Sequence, residues 1–316
     1  MIRSASVRRL QLTVVVLLSV LFFQMPALSN GQDLQNLSKE QKAKWITANE
    51  QWSTDDKAYP FSVEAQVDSD INKSSSLFSL KGVEFEDFRR HLSIPRNWCA
   101  IMLLHLNVKS CVHRDVEGRL FVDLYIGRKY MQTPDEASRL EFTFSSETNS
   151  DVFVASLNAD EGPYGTSDYR FSLRAIPVET GIFVELILSN RVGYAESLAD
   201  VYFSTLGRFK VGFTRLGKDF FGREKFVKGR IGAAERNVVR YMIALEVALS
   251  DPEAEFSDWA GRWHKATQQF KKQLHELGRR DYLTAKRREF ANQALLQEAL
   301  DNGESIDFRP EKDEKK

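Results

Sequence analysis

Tyr169-Arg170-Phe171-Ser172-Leu173-Arg174-Ala175 is followed, across a Thr180-Gly181 turn, by Ile182-Phe183-Val184-Glu185-Leu186-Ile187-Leu188. In the first run Tyr169, Phe171, Leu173 and Ala175 alternate with Arg170, Ser172 and Arg174. Ile182, Val184, Leu186 and Leu188 repeat at the same spacing in the second. A period of two marks strands that bury one face, and a short Gly turn between them marks an antiparallel pair.

The same pattern extends upstream. Met102, Leu104, Leu106 and Val108 alternate with Leu103, His105, Asn107 and Lys109, which predicts a strand. Leu120, Val122, Leu124 and Ile126 predict the next, and residues 139–146 and 152–157 add two more. Six strands with short turns form an antiparallel meander. Phe61 to Ser69 predicts a seventh, and Asn72-Lys73-Ser74-Ser75-Ser76 reads as a loop. Between them Val83, Phe85, Phe88 and Leu92 predict a short amphipathic helix, stopped near Pro95. Residues 33–52 read as a helical lead-in that packs late or not at all.

Downstream the period becomes helical. Ala195, Leu198, Ala199, Tyr202, Phe203 and Leu206 predict one helix, and Glu235 to Leu249 a nearly apolar second. Lys210 to Thr214 reads as a short strand in an otherwise loop-like stretch with many Gly and basic residues. A third helix holds Phe256, Trp259, Trp263, Phe270 and Leu277, and a last one runs from Tyr282 to Leu300. Residues 301–316 are charged and predict disorder.

The fold class is therefore α+β. The order of strand, helix, six antiparallel strands and helical region resembles the helix-grip fold of the START and Bet v 1-like (SRPBCC) superfamily. The resemblance covers residues 61–250. It implies a curved seven-stranded antiparallel sheet gripping a C-terminal helix, with an apolar cavity between them. Residues 251–300 would then be a helical extension. The chain also looks like an uncharacterised group of exported proteobacterial proteins, through Asn97-Trp98-Cys99 and Glu235-Arg236-Asn237.

The first 29 residues carry an address. Arg3, Arg8 and Arg9 precede an apolar run from Leu10 to Phe23, and Ala27-Leu28-Ser29 offers small residues for cleavage. This predicts a signal peptide and a periplasmic protein, with an uncleaved anchor as the alternative. The whole chain has 44 basic and 44 acidic residues. Residues 30–206 hold 18 basic and 26 acidic side chains, and residues 207–300 hold 19 and 12. An acidic body is thus joined to a basic C-terminal part. Two cysteines, Cys99 and Cys111, would form a disulfide after export, with two buried thiols as the alternative. No metal-ligand spacing accompanies them, and neither a metal nor a cofactor is expected.

Phe142, Phe144, Phe171, Tyr164, Tyr169, Tyr202, Phe203 and Arg208 are the candidate ligand-binding residues. Phe121, Phe153 and Phe183 belong to the same set of large aromatics, which line a cavity or fill a core. His105, Asn107 and Lys109 would share one strand face, and Asp123 and Tyr125 a neighbouring one. With Arg170 of the Gly162 to Arg170 loop, His105, Asp123 and Tyr125 are the acid–base candidates if the protein is an enzyme. The alternative is a solvent-facing polar surface. Gly207 to Thr214 is a cavity lid or a linker. Arg262 to Glu289 carries nine basic residues against three acids beside Trp259, Trp263 and Phe270. Residues 253–300 would therefore touch an anionic membrane transiently, or present a solvated helical face.

The reading that results is a periplasmic binding protein for a hydrophobic or lipid-like small molecule, with lipid transfer as an extension. An enzyme using the same cavity and a scaffold using its C-terminal helices are the alternatives. Nucleic acid is not expected as a partner.

Overall fold

The computed structural model describes residues 31–53, 60–68, 70–192 and 210–308. The leader over residues 1–29, the helix expected over 195–206 and the end of the tail from 309 lie outside the described residues.

One antiparallel sheet dominates the chain. Among the described residues it has eight strands: β1 (Phe61–Val67), β2 (Ile71–Lys81), β3 (Val108–Val116), β4 (Arg119–Ile126), β5 (Ser138–Thr148), β6 (Phe153–Glu161), β7 (Ser167–Val178) and β8 (Gly181–Arg191). Their order across the sheet is β1-β2-β8-β7-β6-β5-β4-β3. The meander therefore runs from β3 to β8, and β2 joins its far end. At the β7–β8 turn Gly181 has φ 138°, and a Cβ there would sit 2.0 Å from Leu80 O. Only glycine fits between these strands.

The expected seven strands become eight because residues 72–76 are not a loop. Ser74, Ser75 and Ser76 pair with Ala65, Glu64 and Val63 on one side and with Leu188, Ile187 and Leu186 on the other. Ser74, Ser76, Phe78 and Leu80 are buried at a period of two. Serine has a weak strand preference, but a central position between two partners overrides it.

Residues 102–107 do not form the expected strand. α2 (Phe85–Leu92) is followed at once by α3 (Pro95–Met102), and residues 103–107 turn before β3 begins at Val108. Pro95 opens α3 at a position where its missing N–H costs nothing. Trp98 is sealed and donates from Nε1 to Leu92 O, which locks the two short helices together. Cys99 on α3 and Cys111 on β3 form the disulfide, with Cα atoms 4.9 Å apart.

The two faces of the sheet have different covers. α1 (Gly31–Ser53) lies on the outer face, where Leu37, Ala48, Trp45 and Trp52 meet Val152, Val154, Ile176 and Phe183. Gln41 and Lys44 each donate to Glu185 at 2.7 Å. The lead-in is thus packed rather than loose.

The inner face meets α4 (Gly229–Leu249), α5 (Phe256–Thr267), the single turn α6 (Lys271–Leu274) and α7 (Arg279–Asp301). Trp259, Trp263, Leu274 and Tyr282 share one core with Val122, Leu140, Leu173 and Val184. The C-terminal helices therefore complete the body of the protein. The apolar face expected to touch a membrane is buried: Trp259 donates to Asp251 O and Trp263 to Arg240 O.

Lys210 to Thr214 is not a strand. A separate hairpin follows it, β9 (Arg215–Lys218) paired with β10 (Glu224–Phe226).

Candidate functional site

α4 changes character along its length. From Val238 to Leu249 it carries bulky apolar side chains that fill the core. From Gly229 to Ala234 four of its six residues are small, Gly229, Gly232, Ala233 and Ala234, while Arg230 spans to Asn72 of β2 at 2.9 Å. Small side chains there cannot reach the sheet, and a cavity of about 780 Å³ is left between them and the inner face. Its floor is apolar, formed by Val122, Leu124, Leu140, Phe142, Leu157 and Phe171 from β4 to β7. A volume of this size suits one small organic ligand.

The polar part of the wall has one sign. Lys73, Lys129, Arg170, Arg230, Arg236 and Arg240 line the cavity, and among the described residues no Asp or Glu does. Arg236 and Arg240 are one helical turn apart on α4, and each is only 5% exposed. Arg240 Nη2 donates to Glu276 Oε1 at 2.9 Å, and Lys129 Nζ reaches the same oxygen at 2.9 Å. Arg236 has no carboxylate within ion-pair distance among the described residues; Nη1 donates to Val211 O at 3.3 Å. The Nε atoms of both arginines are buried without a hydrogen-bond partner among the described residues. Burial, with the charge of Arg240 beside it, brings the Arg236 guanidinium down to about 10. A cation held this way is short of an anion.

Several expected residues meet here. Phe142, Phe171, Tyr169 and Arg170 line the cavity. Tyr169 O–H lies 2.7 Å from Thr166 Oγ1, and Arg170 spans to Asp160 and Asp168. Others lie elsewhere. Phe144 packs against Trp98, with ring centres 6.2 Å apart. Phe153 meets Phe88, Phe183 lies under α1, and Phe121 faces Arg114 and Arg119. Tyr202, Phe203, Arg208 and the side chain of Tyr164 lie outside the described residues.

The acid–base candidates do not assemble. Val122, Leu124 and Ile126 line the cavity, so Asp123 and Tyr125, which alternate with them, face away. Asp123 is buried between Arg114 and Arg139, at 3.1 and 3.0 Å. Burial raises Tyr125 above its ordinary range. His105 sits in the turn before β3, stacked on Tyr241 with ring centres 4.6 Å apart. Its Nδ1 accepts from Asn107 N, and its Nε2 has no partner among the described residues. Burial, and then the charge of Arg240, hold it well below the usual histidine range. Its imidazole is therefore neutral and screened from the cavity by Tyr241, which does line it.

Arg236 and Arg240 escape a reading based on hydrophobic periodicity because the helix around them is so apolar. Their i, i+4 spacing on the buried face was the available signal.

No family model matches the chain, and no curated protein does. Among solved structures, a solution NMR structure of a protein from Arthrobacter aurescens is similar at 11% identity and a TM-score of 0.30, covering 61% of this chain and 92% of that one. The crystal structure of a protein from Rhodobacter sphaeroides is similar at 14% identity and a TM-score of 0.25, covering 46% of this chain and 89% of that one. Likeness this weak adds nothing to the fold described above.

Proposed function

We propose that the protein binds an anionic amphiphile, with the apolar part of the ligand on the floor of the cavity and its charged head at Arg236 and Arg240. The observation that carries this reading is the buried Arg236 guanidinium, without a carboxylate partner, on the wall of an apolar cavity that no acidic side chain lines among the described residues. An incoming carboxylate or phosphate would supply the missing counter-charge and accept from the unpaired Nε groups.

A helix-grip relationship to the START-like superfamily belongs to the same proposal. It is supported by the two short helices between β2 and β3, by the pairing of β2 with β8, and by α4 lying across the inner face. Function in the periplasm is also part of it. The leader-like sequence of residues 1–29 supports that placement, and the Cys99–Cys111 disulfide is compatible with it.

The test is a titration with a fluorescent long-chain fatty acid, its methyl ester, and a lysophosphatidic acid carrying the same fluorophore. The acid is expected to bind about tenfold or more tightly than the ester, since a charge-assisted hydrogen bond contributes about 1.5–3 kcal/mol. Arg236→Gln should remove that preference while leaving ester binding in place. The phosphate analogue shows which head group the site favours. Equal affinity for acid and ester would sink the anionic reading, and absence of binding by all three would sink the ligand reading altogether.

A further inference from the structure

The hairpin of β9 and β10 has a tip built around one carboxylate. Asp219 Oδ1 accepts from Phe221 N and Arg223 N at 2.9 and 2.8 Å, and Oδ2 accepts from Arg223 Nε at 2.8 Å. Asp219 N donates to Arg223 O, and Gly222 N donates to Asp219 O. Gly222 supplies the positive φ, 76°, that this turn requires. The turn is thus held in one shape, and it presents Phe220 and Phe221 outward at 98% and 77% exposure. The two rings stand edge to face, 5.5 Å apart, and Leu216 below them is 62% exposed.

Single exposed apolar side chains are common on proteins. Two adjoining phenylalanines at an organised tip are different, because the turn forgoes any chance to fold them back. Such a patch fits a partner surface. The collar around it says which kind. Lys218, Arg223 and Lys225 flank the tip, with Arg215 nearer the base and Lys228 just past it, against two acids, Asp219 and Glu224. Both acids are engaged, Asp219 by Arg223 at 2.8 Å and Glu224 by Arg215 at 3.3 Å. Lys218, Lys225 and Lys228 have no carboxylate within ion-pair distance among the described residues. Apolar rings beyond unpaired ammonium groups match the interfacial layer of a bilayer that carries anionic head groups.

We propose that this hairpin inserts Phe220 and Phe221 into the interface of an anionic membrane, while Lys218 and Lys225 engage lipid phosphates. The hairpin is joined firmly to the body. Buried Glu235 of α4 accepts from Phe213 N, Thr214 N and Thr214 Oγ1 just before β9. Gly212 N donates to Val227 O, closing its base. Gly229 and Arg230, directly after β10, line the cavity. A seated hairpin therefore brings that wall of the cavity to the lipid surface. The inference goes beyond ligand binding and stands whether or not the cavity is occupied.

The test is co-sedimentation of the full-length chain with vesicles of phosphatidylglycerol and phosphatidylcholine in equal parts, and with phosphatidylcholine alone. The protein should sediment with the mixed vesicles and not with the neutral ones. F220S/F221S should weaken that partitioning by about tenfold or more, whereas F220L/F221L should retain it. Both side chains are exposed, so the circular dichroism and Tm of these variants should match the parent. F221W should shift its emission to the blue on mixed vesicles. Partitioning unchanged in F220S/F221S would overturn the proposal, as would F221W emission that stays at its value in water while the protein sediments. It would equally fail if the tip drove self-association, seen as a dimer lost in F220S/F221S without any vesicle binding.

Discussion

Lys109 on β3 and Glu289 on α7 are 180 residues apart in sequence, yet Nζ lies 2.7 Å from Oε1 and both side chains are sealed from solvent. Lys286 reaches the other carboxylate oxygen at 2.7 Å and donates to the carbonyls of His105 and Val108. One carboxylate thus serves two buried ammonium groups. Removing it by Glu289→Leu leaves both cations uncompensated, which should lower stability by about 3–5 kcal/mol. Denaturant unfolding measures this, and a loss below about 1 kcal/mol would show that the cluster is solvated.

The disulfide should behave as an ordinary loop closure. Cys99 and Cys111 are separated by 12 positions, and a loop of that length contributes about 3 kcal/mol through the unfolded chain. Replacing both by serine should lower stability by about that amount, with the strand order intact by circular dichroism. A midpoint that does not move would mean the reduced chain is equally restricted.

Leu140→Trp should separate packing from binding. Enlarging a buried leucine usually costs about 1–3 kcal/mol, because nothing nearby can give way. Leu140 instead borders a cavity of about 780 Å³, so the indole has somewhere to go. The variant should unfold within about 1 kcal/mol of the parent and yet bind the fatty acid probe at least about tenfold more weakly. Loss of stability together with unchanged binding would mean that the ligand lies elsewhere.

Glu246 on α4 sets a pH dependence. Burial raises its carboxyl to about 7. Between the ordinary value of 4.5 and 7, the folded chain holds a proton there that the unfolded chain has released, so this group lowers stability as pH rises through that window. Glu246→Gln removes the effect. The variant should match the parent near pH 4.5 and exceed it above pH 7, by up to about 3 kcal/mol. Thermal unfolding across that range checks this, and a constant difference would contradict it.

What the sequence disclosed depended on whether one physical signal governed a segment. The runs 120–126 and 169–188 carry apolar side chains at every second position on the inner face, and that alternation reads directly as β4, β7 and β8, although α1 buries Ile176 and Phe183 on the outer face as well. Residues 102–108 misled because Leu103 and Leu104 are both buried, so apolar residues fall at every spacing and a period of two is found by accident. In β2 the serines are chosen by close neighbours on both sides, which no local preference reveals. Phe183 and Phe142 look alike in sequence, but one lies under α1 and the other on the cavity floor, according to which face α1 covers. The cavity followed from small residues at the start of α4, where an absence of bulk leaves no periodic mark. The hairpin was lost among glycines, since a strand of four residues is too short to alternate.

Strand β3 forms one margin of the sheet, and α7 supplies partners for its backbone. Gln293 Oε1 accepts from Cys111 N, while Gln297 accepts from His113 N and donates to His113 O. Two glutamine amides thus stand where another strand would pair. The consequence concerns timing. A ribosome releases β3 long before it reaches Gln297, 184 residues later. Throughout that interval the margin has no finished partner and is open to pairing with another chain. Synthesis must reach the last helix before the first strand of the meander is safe, so a chain halted within α7 should aggregate through β3 rather than fold into a shortened form.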